Sequence, residues 1–131
     1  MTYADQNGIP ATEATLYNTL RDVADFYAKA SYGKLTLVGT VCPPVKLPHN
    51  EAWYVNRDSG NGGDISGTSL EHLHAREEAR KLGYDSNDYD SHVVRHTGGP
   101  GSYGGLADLL LSTVWVRNDS PGTWAHEIGH S

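Results

Sequence analysis

Residues 106–131 read LADLLLSTVWVRNDSPGTWAHEIGHS, and this stretch decides the fold. Leu106 to Val116 is strongly apolar, and its end, Ser112-Thr113-Val114-Trp115-Val116, is rich in the β-branched and aromatic residues that fit a pleated sheet. It predicts one strand, or two joined by a tight bend. Asn118, Asp119, Ser120 and Pro121 are turn formers, so a last helix is expected to begin near Gly122 or Thr123. In that helix Trp124, Ala125 and Ile128 form an apolar side while His126 and His130 face elsewhere, the pattern of a helix docked on a core with a polar group displayed.

Working back toward the start, Ala11 to Ser31 reads as a helix, with Thr12 as N-cap, Glu13 in the first turn, and Leu16, Leu20, Val23 and Tyr27 at helical spacing. Gly33 follows as a stop. Leu35, Leu37, Gly39 and Val41 alternate with Thr36, Val38 and Thr40, which predicts a strand ended by Pro43, Pro44 and Pro48. Pro43 to Thr68 is expected to be a mostly irregular excursion. Its Asp58 to Asp64 segment is oxygen-rich but lacks the spacing and terminal Glu of a calcium loop. A helix over Ser69 to Leu82 should place Leu70, Leu73, Ala75, Ala79 and Leu82 inward. Ser91 to His96 reads as a short strand, and Thr97 to Gly105 as a glycine-rich loop. Helices interspersed with strands point to a mixed α/β (α+β) layer architecture.

The 131 residues suit one domain. With a formal charge of −6 and ten scattered Lys and Arg, the chain lacks the clustered basic surface of a nucleic-acid binder. No apolar run approaches the ~20 residues of a membrane span. Cys42 is the single cysteine, which rules out an intrachain disulfide and a cysteine-rich metal cluster and reads as a small buried thiol at a strand end.

His126-Glu127-Ile128-Gly129-His130 carries chemistry. Histidines four apart leave one helix face a turn apart, close enough to share one tetrahedral zinc. A carboxylate between them can accept the proton of a water attacking a carbonyl carbon and return it to the leaving amine. Gly129 leaves room for another backbone to approach the helix. The motif is short, arising by chance on the order of once in a few hundred chains of this length.

Further segments accompany the motif in order: Phe26-Tyr27-Ala28-Lys29-Ala30-Ser31-Tyr32-Gly33-Lys34-Leu35, Gly83-Tyr84-Asp85, Tyr89-Asp90, Gly104-Gly105-Leu106-Ala107, and Trp124-Ala125 through Ser131. Together, over residues 15 to 131, they resemble the gametolysin-type metallopeptidases of the metzincin group. The resemblance implies a secreted zinc endopeptidase acting on protein or peptide substrates. It implies a twisted mixed sheet with a backing helix and a metal helix, Zn2+ held by His126 and His130, and Glu127 as general base. The Gly98 to Ala107 segment would then lie near the strand that receives the peptide by β-augmentation.

In metzincins a glycine, a third histidine and a methionine turn follow the second histidine. Residues 1–131 are therefore expected to form a single partial catalytic domain lacking its C-terminal subdomain, with His72, His74, His92, His96 or a partner chain as sources of a third ligand. Departing again from that pattern, Asp108 to Leu111 is an apolar run where a glycine-containing strand junction is expected. Two other readings stand beside this one. The chain could be an inactive metallopeptidase-like domain serving as a binding module, or a zinc hydrolase whose third ligand is a downstream Glu. His72 and His74, two apart, read as exposed helix histidines; His92 and His96 share a strand face with Asp90 but sit too far apart for one metal. Asp85, Asp88 and Asp90 read equally as turn formers or calcium ligands, and no Ser or Cys nucleophile motif or phosphate loop is present.

Overall fold

The computed structural model describes residues 1–58 and 66–131. Its regular elements are α1 (Glu13–Ala30), α2 (Glu51–Asp58), α3 (Gly67–Lys81), a 3-10 turn (Ser86–Asp88), β1 (His92–Arg95), β2 (Gly105–Asp108), β3 (Thr113–Val116) and α4 (Pro121–Ile128). The chain is α+β, with a small mixed sheet in the order β1-β3-β2.

β3 is the central strand. It runs parallel to β1, with Val93 opposite Val114, and antiparallel to β2, with Ala107 opposite Val114. All four of its residues are buried, as expected for a strand covered on both faces. Because successive side chains point to opposite faces, β3 separates two cores. Val114 and Val116 pack with Val23 of α1 and Trp124 of α4. Trp115 packs on the other side with Tyr3, Leu47, Tyr54, Ala75 and Val94.

The apolar run at 106–116 resolves into two strands and a bend. No glycine makes that bend: the Asp108 carboxylate accepts the backbone N–H groups of Leu110 and Leu111, and Ser112 adopts a positive φ of 48°. An Asx-type cap thus does the work of the expected glycine.

α1 lies where its periodicity places it, with the Thr12 side chain accepting from Thr15 N as N-cap. Three expectations need correction. Leu35 to Val41 forms no strand; Leu37, Gly39 and Val41 are half-buried and alternate with exposed Thr36, Val38 and Thr40, but that face lies on α1. A Cβ at Gly39 would meet Leu20, and Val41 N donates to the Tyr17 hydroxyl. The alternation marks a packed face without a ladder. The excursion after Pro43 contains α2, and of the oxygen-rich stretch only Asp58 is described, as the last residue of α2. On α3 Leu70 and Ala75 face the core as expected, but Gly67, Glu71 and His72 are buried with them, while Leu73 and Leu82 are exposed. Cys42 is half-buried.

His72 is thus interior, with a nitrogen 2.8 Å from the Thr113 hydroxyl, and its ring stacks on His92. His74 is half-buried, bonded to the Tyr54 hydroxyl at 2.7 Å. His96 is fully buried just beyond β1. Loss of hydration, with nearby cationic side chains, lowers the pKa of His72 to about 4 and of His96 to about 3.

A histidine depressed in the folded state takes up its proton more readily in the unfolded chain, whose value is about 6.5. Stability should therefore be complete above about pH 6.5 and decline as the pH falls toward about 4 for His72 and about 3 for His96. Urea denaturation should show a loss of about 2 to 4 kcal/mol between pH 7 and pH 5 from the two groups together. An unchanged midpoint would contradict the buried neutral state of both.

Candidate metal centre

α4 is fixed at its start. Ser120 caps it by accepting from Thr123 N, and Pro121 fills the first turn, where no amide donor is needed. The approach to the cap is held by Arg95, whose guanidinium bridges to Asp119 at 2.8 Å, and by the Thr19 hydroxyl donating to the Asp119 carbonyl. Trp124 is buried and its indole N–H donates to Asn118 O at 2.9 Å. These contacts come from α1, β1 and the turn after β3. They set the rotation of α4 so that its apolar side meets β3 and its other side is displayed.

On the displayed side His126 and His130 stand exposed, their rings 4.7 Å apart at 80° and their Nε2 atoms 3.1 Å apart. Two imidazole nitrogens bound to one tetrahedral zinc at about 2.05 Å would be about 3.3 Å apart. The donor type and spacing fit two positions of a zinc site. Among the described residues no group of three His, Cys, Asp or Glu side chains could hold a metal. Of the internal candidates for a third ligand, His72 meets the Thr113 hydroxyl and His74 the Tyr54 hydroxyl, and none of His72, His74, His92 and His96 joins His126 and His130 in a metal group among the described residues. His92 Nε2 lies 2.7 Å from Ser86 O, and His96 adjoins Tyr103.

Glu127 is half-buried and its side chain lies against Gly105 of β2. A Cβ added at Gly105 would lie 2.6 Å from Glu127 Cγ and 2.9 Å from Thr123 Cγ2, so Gly105 supplies the space in which Glu127 lies. β2 is an edge strand of the sheet. An open groove of about 390 Å³ also follows β2, lined by Ser66, Ser69, Leu106, Asp108 and Trp115 among others. Glu127 and the groove thus share one strand; the two histidines do not line it.

The room at Gly129 serves a different neighbour from the expected backbone. Tyr27 of α1 donates its hydroxyl to Ala125 O, and a Cβ at Gly129 would sit 3.0 Å from that hydroxyl. Neither Tyr27 nor Arg95 is signalled as a site residue by local spacing, since their partners lie 98 and 24 positions away.

No protein-family model, curated protein or solved structure matches the chain. No helix among the described residues is long and apolar enough to cross a membrane.

Gly105→Ala should force Glu127 and Thr123 aside and destabilise the protein by about 1 to 3 kcal/mol, the usual range for overpacking. Glu127→Ala in the same chain should return part of that loss. A double-mutant cycle in urea should give a coupling of at least about 0.5 kcal/mol, whereas additive effects would show that the two do not touch.

Proposed function

We propose that this chain carries the metal helix and edge strand of a zinc-dependent endopeptidase of the gametolysin type within the metzincin group, acting outside the cell. The observation that supports this reading most is the 3.1 Å approach of Nε2 of His126, on a helix docked to the core, and Nε2 of His130, in the turn that follows it, with Glu127 against edge strand β2. When bound, zinc supplies Lewis acidity that polarises the scissile carbonyl and acidifies water.

The chain's own residues do the rest. A peptide adds to the free edge of β2 as an extra strand, its backbone paired and its side chains alternating between faces. Glu127 takes the proton from the water whose oxygen bonds to the carbonyl carbon. It then delivers that proton to the amine nitrogen as the C–N bond breaks, so the carboxylate ends as it began. The half-buried setting of Glu127 limits its rotamers and holds it beside β2.

A second reading is a metallopeptidase-like binding module that keeps the fold without catalysis. Zinc stoichiometry separates the two. At micromolar metal the purified chain should hold one zinc, and His126→Ala should hold none, while Glu127→Gln keeps the metal and lowers any peptide hydrolysis at least 100-fold. A chain that takes up no zinc, or a His126→Ala variant that takes up as much, favours the binding module.

A further inference from the structure

His130 stands two residues beyond the last residue of α4, which is only eight residues long. A helix this short has little stability of its own, so the His126–His130 spacing cannot be a property of α4 alone. The turn that carries His130 is closed by Gly129 N donating to Ala125 O, His130 N to Glu127 O, and Ser131 N to Ile128 O, each at 3.1 Å. Of these three carbonyls, Ala125 O is the one that also accepts a phenol from another helix, that of Tyr27.

Two independent features meet at this point. Tyr27 is half-buried on α1, which packs along α4, so its ring is held in place by the same core that buries Val23 and Trp124. Gly129 leaves open the volume that the phenol needs, since a Cβ there would crowd the hydroxyl, Ala125 O and His126 O together. The donor and the missing side chain form a matched pair. They couple α1 to the single turn between the two imidazoles.

We infer that Tyr27 is a positioning residue of the metal site, holding the Ala125–Gly129 turn so that His126 and His130 present their Nε2 atoms at ligand spacing. This rests on the zinc reading above. Tyr27 touches neither imidazole and acts only through the carbonyl of Ala125.

The test is cobalt(II) titration of the full chain, followed by its visible ligand-field band, for the wild type, Tyr27→Phe, Tyr17→Phe and His126→Ala. Tyr17 is also on α1, but its hydroxyl serves Val41, so its loss reports the general effect of removing a phenol from that helix. Tyr27→Phe should bind cobalt about five- to tenfold more weakly, with an altered band, as expected for the loss of one hydrogen bond of about 1 kcal/mol. Tyr17→Phe should retain wild-type affinity and spectrum. Amide exchange at Gly129 and His130 should also quicken in metal-free Tyr27→Phe alone. If the wild type and Tyr27→Phe bind alike while His126→Ala does not bind, the inference fails and the zinc reading stands. Equal weakening in both phenol variants also overturns it, as does unchanged exchange. If the wild type takes up no cobalt, both fail.

Discussion

The burial of β3 on both faces is the constraint on which the rest of this structure depends. Four residues, Thr113 to Val116, supply the pairing edge for β1 on one side and β2 on the other, and their alternating side chains serve two separate cores. Val114 and Val116 can be covered only by α1 and α4, and Trp115 by the α2 and α3 side. Fully burying side chains of this size is worth roughly 1.5 to 3 kcal/mol each, enough to fix which helix lies on which face. Once α4 is committed to the Val114–Val116 face, its opposite side is necessarily displayed.

From that point the candidate site follows by short steps. The turn after β3 delivers Asp119 to Arg95 and Ser120 to its capping position, which fixes where α4 starts. Trp124 then fixes its rotation. The histidines lie on the displayed side, and Glu127, one residue after His126, falls between that side and β2. Gly105 makes room for Glu127 and Gly129 for Tyr27, so the two glycines adapt the surroundings to the motif. Two imidazoles one turn apart, a carboxylate and an edge strand are thus gathered by packing, although they come from elements with no local relation in sequence.

What could be read beforehand was what local periodicity and local chemistry control. α1 follows its Leu16–Val23 spacing and Thr12 cap, β1 and β3 follow their β-branched runs, and α4 follows the Ser120-Pro121 start. His126 and His130 are brought together as their four-residue spacing requires. Sequence and structure part where a local pattern has more than one tertiary meaning. Alternation at Leu37, Gly39 and Val41 is satisfied equally by a sheet or by one face lying on a helix, and here Leu20 and Tyr17 supply the helix. α2 carried a signal in Pro48 and Asn50 ahead of Glu51-Ala52-Trp53, obscured by the proline-rich stretch before it. On α3 the leucines at 73 and 82 outrank Glu71 and His72 by hydrophobicity, yet the polar pair is inside because Tyr3 donates to Glu71 and Thr113 meets His72. Partners 68 and 41 positions away cannot be read from spacing, and the same holds for Tyr27.

The proposed function rests on His126, on α4, and His130, two residues past its end, being ligands of one zinc ion. Zinc K-edge X-ray absorption on the chain loaded with one equivalent of metal tests it most directly. Outer-shell scattering from two imidazole rings with nitrogens at about 2.0 Å is expected, and one fewer ring in His130→Ala. A first shell of water oxygens with no imidazole scattering, or a spectrum indifferent to that substitution, would contradict it.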